Sequence, residues 1–557
     1  MKKLIIAAFF LACAGTSVWA APARRTFGEI TLENGTTIQA QSCGDEHFHY
    51  WQSNSGEYYV KAANGKFRRL SQEEFTQTEQ VAKQQRVMRS PGRKHFAPKV
   101  LTILVNFADI QFRPENTPAE MDSMLNGVNY TYYKSYGSVR KYFQDQSFGQ
   151  HAPHFDIVAQ VTLPEGVSYY GGNNTYGKDT KPADMVFKAC SIASQINGIN
   201  FAEYDSDNDG NIDLVAIIYA GCGENDANGL ADSLIWAANW RMGPAVSSGS
   251  TSLPSSALPS AYTFQGKTID DYIYCSELNY YDTYIRPAEG YGPDNPLRAG
   301  IGTFCHEYCH VIGLPDLYDT TKGVNHLQHL TPLNWHLMDQ GTYNKSGYVP
   351  PAFAPMERWW LEWNAPTRLS DSANITLPAD NQTAYYISAN DNDASATSTD
   401  TIYYLENRQR TGWDQGLYGH GLLVWRVVFN AGAWSGNYMN NTANKPRYTY
   451  IPADGNYFVV GASDYAGDTY PGLSNITTFT PFVHSPITDI QETDGVITFK
   501  FRGGREGTAL PNVKQTEEQV EAIYSLTGAY MGTQKQNLPA GLYLLRTNDS
   551  TKKIIIR

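Results

Sequence analysis

Cysteine, basic charge and long apolar runs are all scarce in this sequence. Lys and Arg number 43 against 55 Asp and Glu, a formal net charge of −12. An acidic chain carries no field to hold a polyanion, which argues against nucleic acid or an anionic membrane as partner. Past the first residues nothing approaches the roughly eighteen apolar residues of a membrane helix, so no transmembrane helix is expected. Of seven cysteines, six follow Cys13: Cys43, Cys190, Cys222, Cys275, Cys305 and Cys309. Export would permit disulfides among them, but six cysteines leave the connectivity open. Cys305 and Cys309, one helical turn apart, read either as packing thiols or as part of a bridge, with Cys275 the expected partner of Cys305.

Aromatic residues and glycine are plentiful instead: 13% aromatics, 38 Tyr and 47 Gly. That composition suits a β-rich, loop-rich extracellular protein. With 557 residues the chain should hold about three or four domains. Met1-Lys2-Lys3, the apolar stretch Leu4 to Ala14 and the small residues at Val18-Trp19-Ala20 read as a secretory signal peptide, residues 1–20. Cys13 raises lipoprotein processing as a rival, but Phe10-Leu11-Ala12-Cys13 is a poor lipobox.

Residues 21–97 read as a separate unit. Strand-like alternation from Ile30 to Gln41 turns at Asn34-Gly35, and Ser71-Gln72-Glu73-Glu74 opens a polar helix to about Val87. Arg86, Arg89, Arg93 and Lys94 around Ser90-Pro91-Gly92 form a basic, turn-rich linker, the expected site for proteolytic nicking. Residues 98–365 alternate strands and helices. Val100 to Val105 is a strand buried on both faces. Ser138 caps a helix carrying Val139, Tyr142 and Phe143. A helix near Ala183 to Gln195 and a strand from Ile212 to Ala220 follow. Residues 366–505 read as strands and turns of a β-sandwich, and residues 506–557 as a small terminal β-module.

The chemistry concentrates at Cys305-His306-Glu307-Tyr308-Cys309-His310-Val311-Ile312-Gly313-Leu314-Pro315-Asp316. On a helix, His306 and His310 lie one turn apart on one face, where two imidazoles reach one tetrahedral Zn²⁺. Glu307 projects beside that face as a proton acceptor and donor. Gly313 permits the left-handed turn of a C-cap, Pro315 blocks resumption of the helix, and the chain brings Asp316 back as third ligand. The pattern H-E-x-x-H-x-x-G-x-x-D is that of a metzincin with Asp for the usual third His. Met338, in Asn334-Trp335-His336-Leu337-Met338-Asp339, is the expected Met-turn. A second cation is expected at Asp205, Asp207, Asp209 and Asp213, where alternate carboxylates and Gly210 shape a Ca²⁺ loop. It is not a full EF-hand, since Ala216 stands where Glu is needed.

These residues also carry a resemblance. Gly302-Thr303-Phe304-Cys305-His306-Glu307 and Gly313-Leu314-Pro315-Asp316-Leu317-Tyr318-Asp319 resemble the immune inhibitor A family of secreted bacterial metallopeptidases. So do Gly137 to Phe143, Tyr204 to Gly210 and Tyr219-Ala220-Gly221. The likeness covers about residues 98 to 365 well and the flanks more loosely. It implies zinc-dependent endopeptidase activity, a pro-segment, bound calcium, and an edge strand after Gly221 that pairs with substrate backbone. Ile523 to Gly528, Leu538 to Arg546 and Lys552 to Arg557 resemble the C-terminal sorting domain of type IX secretion substrates, which implies the secretion machinery as a partner.

The fold expected is therefore an α/β (α+β) metzincin-like zinc peptidase domain between an N-terminal pro-segment and a C-terminal β-sandwich with its small β-module. The function expected is endopeptidase action on extracellular proteins. Cys43 and Asp45 are candidates for a pro-segment ligand to the zinc. Rival readings are a gluzincin-like enzyme using a downstream Glu such as Glu357, or an adhesin or glycan-binding protein with an inactive protease module. The intact Glu307 speaks against the last.

Overall fold

The computed structural model describes residues 19–24, 27–45, 48–62, 64–85, 97–174, 178–227, 231, 233–320, 330–442, 444–457, 462–504, 520–525, 530–532, 538–539, 541–547 and 551–556. Most of the expected signal peptide, Cys13 and the basic linker Arg86 to Lys94 lie outside the described residues. Two compact units make up the chain, one ending at Arg502 and the other starting at Gly503. Among the described residues no helix is long and apolar enough to cross a membrane.

A six-stranded mixed sheet carries the site. Its order is Trp19–Ala20, Ala238–Arg241, Asp271–Leu278, Val215–Cys222, Lys99–Asn106, His154–Thr162. The last four run parallel, whereas Ala238–Arg241 pairs antiparallel with Asp271–Leu278. Alternation along the strands fills two cores, because successive side chains point to opposite faces. Leu101, Ile103, Val105, Val215, Ile217 and Tyr219 face one side, with Val186 and Ala189 of the helix Pro182–Ala193. Val100, Leu104, Ala216 and Ile218 face the other, with Phe304, Cys305, Tyr308 and Cys309 of the helix Gly302–Val311. Ser138 caps its helix as its sequence suggests, accepting from Lys141 N at 3.2 Å. The expected strand Ile212 to Ala220 is instead two pieces, Asn211–Ile212 and Val215–Cys222. Asn211–Ile212 leaves the main sheet to pair with Lys267–Ile269.

Before this domain lies a five-stranded antiparallel sheet, Phe27–Thr31 to Phe67–Leu70, followed by the helix Gln72–Gln85. The helix opens on a reciprocal cap: Glu74 N donates to Ser71 Oγ at 3.1 Å and Ser71 N donates to Glu74 Oε2 at 2.8 Å. After the domain come a five-stranded and a three-stranded sheet. Along the strand Gly421–Val428, Leu422 and Val424 face the three-stranded sheet, while Leu423, Trp425 and Val427 join the peptidase-side core with Met338 and Trp335. The five-stranded sheet is thus buried on both faces, and one of them closes on the residues beneath the site helix. The expectation of a disulfide between Cys275 and Cys305 is not met. Both are buried thiols, and burial pushes both pKa values well up. The C-terminal unit is a four-stranded sheet ordered Tyr530–Gly532, Val520–Ser525, Gly541–Thr547, Thr551–Ile556.

Candidate active site

The site helix Gly302–Val311 begins in close backbone contact, since a Cβ on Gly302 would meet Thr342 O at 2.0 Å. The helix ends at Gly313, whose φ of 94° is open to glycine without strain. Gly313 N donates to His310 O and Leu314 N to Cys309 O, both at 3.0 Å, the paired bonds of a Schellman end. Asp316 then returns over the helix. Its Oδ1 lies 3.1 Å from His306 Nε2 and 3.4 Å from His310 Nε2, and the two Nε2 atoms are 3.2 Å apart.

All three residues are buried. His306 Nδ1 faces Leu337 O at 3.0 Å and His310 Nδ1 faces Leu314 O at 2.8 Å. A carbonyl can only accept, so each Nδ1 carries the proton and each Nε2 presents a lone pair. Burial pushes the His310 imidazole down, towards its neutral form. Two nitrogen lone pairs and a carboxylate oxygen therefore converge in a buried space, an arrangement that repels unless a cation sits among them. Bonds of about 2.0–2.1 Å at tetrahedral angles put ligand atoms about 3.3 Å apart, close to the spacing seen here. The donor set fits zinc.

Glu307 is fully buried beside this group and is not one of its three members. Its Oε1 accepts a hydrogen bond from Ala21 N at 2.6 Å. Ala21 belongs to a segment that runs through the site. Trp19–Ala20 pairs antiparallel with the strand Ala238–Arg241, Trp19 opposite Asn239 and Ala20 opposite Ala238. Trp236 Nε1 donates to Ala21 O at 2.8 Å, Tyr343 Oη to Pro22 O at 2.7 Å and Gln340 Nε2 to Ala23 O at 3.2 Å. Ala23 N donates to Gly44 O at 3.2 Å and Arg24 N to Asn225 O at 3.1 Å. Arg24 Nη1 reaches Asp226 Oδ1 at 2.8 Å and Asp282 Oδ2 at 3.2 Å, and its guanidinium lies 3.9 Å from the centre of the Tyr281 ring.

Cys43 and Asp45, singled out as possible ligands, are not in the His306, His310, Asp316 group. The Cys43 thiol donates to Gln41 O at 3.5 Å and packs with Phe48, Tyr50, Leu70 and Phe75. Asp45 Oδ1 accepts from Phe48 N at 3.3 Å within its own hairpin. Among the described residues, Ala21 of the N-terminal stretch reaches Glu307, and no side-chain motif could speak for it.

Met338 is buried in the turn after the short 3-10 helix Leu333–Trp335, and its carbonyl accepts from Leu317 N at 2.8 Å. The preceding Leu337 carbonyl is the one that faces His306 Nδ1, so this turn positions a member of the group directly. Met338 N donates to His336 Nδ1 at 3.0 Å, and His336 Nε2 meets Glu357 Oε2 at 3.1 Å. Tyr448 Oη donates to the other oxygen of Glu357. Glu357 therefore buttresses the turn and is not a member of the His306, His310, Asp316 group.

The acidic loop groups Asp205, Asp207 and Asp209. Asp205 is also paired with Lys267 Nζ at 2.5 Å. Asp213 is outside the group, and its Oδ2 accepts from Ser206 N at 3.1 Å, closing the loop at its base. Spacing along the chain places four carboxylates nearby without fixing which of them turn inward.

Comparison with known proteins agrees with this geometry. The family described as "Immune inhibitor A peptidase M6, catalytic domain" matches residues 86–367, just over half of the chain. Immune inhibitor A of Bacillus thuringiensis subsp. alesti is 27% identical over 301 residues, 47% of this chain and 39% of that protein. Pre-pro-metalloprotease PrtV of Vibrio cholerae is 24% identical over 305 residues, 47% of this chain and 29% of that protein. The matched stretches therefore span less than two fifths of either relative. On the strength of the matched span, this chain belongs to the immune inhibitor A family of M6 peptidases.

Proposed function

We propose that the chain is a secreted, zinc-dependent endopeptidase of metzincin type, made in a latent form. The observation that carries this reading is the convergence of His306, His310 and Asp316 with Glu307 beside them. A zinc ion held by those three residues would supply a Lewis acid that polarises the scissile carbonyl and acidifies a water. The chain's own residues do the rest. With Trp19–Ala20 removed along with the signal peptide, the strand Ala238–Arg241 becomes the edge of the sheet and offers backbone groups to an extended peptide, recognition that makes few sequence demands. Glu307 takes a proton from the attacking water and returns it to the departing amine. The backbone nitrogen of Ala21, 2.6 Å from Glu307 Oε1, supports this by marking where a peptide nitrogen sits. Substrates are proteins and peptides.

Latency in this reading comes from Ala21 to Arg24, which fill the ground a substrate needs. Signal cleavage after Ala20 would leave this segment at the start of the chain, and cutting near Arg89 to Lys94 would free the pro-segment, residues 21–97. Calcium at Asp205, Asp207 and Asp209 is supported by their grouping, although Lys267 already offsets one charge. The C-terminal unit serves delivery through a type IX-like machinery, a reading supported by its sequence likeness. The test uses protein cut in the basic linker, with casein as substrate. Chelation should abolish cleavage, and Glu307→Ala should be inactive while still holding one zinc. Undiminished activity in Glu307→Ala, or activity that survives chelation, would overturn the reading.

A further inference from the structure

The third ligand of the site is held from outside the family's matched span. Asn437 lies seventy residues beyond the end of that span, between the strands Gly421–Val428 and Tyr448–Tyr450. It follows the five-residue helix Ala431–Ser435 and its cap Gly436, with a left-handed φ of 56°. Asn tolerates that conformation because its short side chain can bond locally. Tyr438 N donates to Ala433 O at 3.0 Å and fixes the turn. The Asn437 amide, buried, then meets Asp316 at two points. Its Oδ1 accepts from Asp316 N at 2.6 Å, and its Nδ2 donates to Asp316 Oδ2 at 2.5 Å. Asp316 Oδ1 is left as the oxygen that faces both imidazoles.

We propose that Asn437 is a positioning residue for the metal centre, fixing the Asp316 carboxylate so that one chosen oxygen points at the zinc. Asp316 sits on a turn and could rotate to present either oxygen, both, or neither. A donor aimed at Oδ2 removes that freedom, and the second bond to Asp316 N fixes the backbone from which the carboxylate hangs. The same segment grips the loop at further points. Trp434 Nε1 donates to Gly313 O at 3.1 Å, Asn440 Nδ2 to Leu317 O at 2.7 Å, and Asn441 Oδ1 accepts from Thr320 N at 3.0 Å. Of these contacts among the described residues, the Asn437 amide is the one that touches the Asp316 carboxylate. The domain after the peptidase region thus completes the metal site. Partners that orient metal ligands typically change metal affinity by about 10–100-fold when lost.

The inference rests on the zinc reading above, and the experiment separates the two. Full-length wild type, Asn437→Gly, Asn437→Asp and Asn441→Ala are compared by zinc competition against a chromophoric chelator, by the visible spectrum of the Co²⁺-loaded form, and by melting of the metal-free form. Glycine accepts the left-handed backbone and so removes the amide while keeping the turn. Aspartate keeps an acceptor for Asp316 N but places a second carboxylate where the donor was. Asn437→Gly should weaken zinc about 10–100-fold, Asn437→Asp at least as much, and both should alter the Co²⁺ spectrum. Asn441→Ala, which loosens the same loop at Thr320, should lower the melting temperature and leave zinc affinity within about twofold. Zinc affinity unchanged in both Asn437 variants would overturn the proposal. So would a loss in Asn441→Ala as large as in Asn437→Gly, because general loosening would then suffice. Failure of wild type to bind zinc would instead sink the zinc reading itself.

Discussion

Replacing Arg24 by alanine should make the uncut protein leak activity. Arg24 is the one charged side chain of the docked segment Ala21 to Arg24, and its guanidinium bonds Asp226 and Asp282 while stacking on Tyr281. Both ion pairs are mostly shielded, with 11% and 15% of the acidic side chains exposed. Burial pushes the Asp226 pKa up, so its charge depends on that guanidinium. A hydrogen bond to a charged group is worth about 1.5–3 kcal/mol. Two that share one guanidinium are not additive, and about 2–4 kcal/mol is a fair range for the pair with its ring contact. At 1.4 kcal/mol per decade, the undocked fraction rises roughly 30- to 700-fold. Ala21 N and the Trp236 bond remain, so the segment stays in place most of the time. The assay follows a quenched-fluorescent casein with uncut parent and uncut Arg24→Ala, each alongside its linker-cut form. The cut forms should match, and the uncut variant should exceed the uncut parent by one to three decades. An uncut variant as silent as the parent, with an active cut form, would refute the role given to Arg24.

Asp316→Ala should lose zinc as well as activity, whereas Asp319→Ala, outside the ligand group, should retain zinc and chiefly lower stability; chelator competition decides. Calcium at a hundredfold excess over its dissociation constant should add about 2.7 kcal/mol, or roughly 5–10 °C in melting temperature. An unchanged melting curve with calcium and with chelator would remove the Asp205, Asp207, Asp209 site. His151, stacked on Tyr308 of the site helix with Nε2 2.9 Å from its hydroxyl, has its pKa lowered by burial from 6.5 to about 4. A depressed folded-state value means stability that is present above the unfolded pKa and is lost as pH falls from about 6.5 towards 4. Melting followed across that window should drop, and His151→Gln should flatten the slope; an equal slope in the variant would exonerate His151.

What the sequence determined by itself is local. The four-residue spacing of His306 and His310, Glu307 next to the first, and the Gly313-Leu314-Pro315 turn to Asp316 all follow from helix period and from glycine and proline sterics. These act over a single turn and hold whatever surrounds them. The strand alternation and the Ser71 and Ser138 caps were legible for the same reason. Tertiary structure alone decided the partners. Asp316 is held by Asn437, 121 positions away, and Glu307 faces Ala21, 286 positions away. Nothing in the spacing of a carboxylate says whether it will meet a metal, a lysine or a histidine. So Glu357 went to His336, Asp205 met Lys267, and the Cys43 thiol turned into its own core. A docked backbone such as Ala21 to Arg24 leaves no side-chain pattern at all, because its recognition runs through peptide groups that every residue possesses.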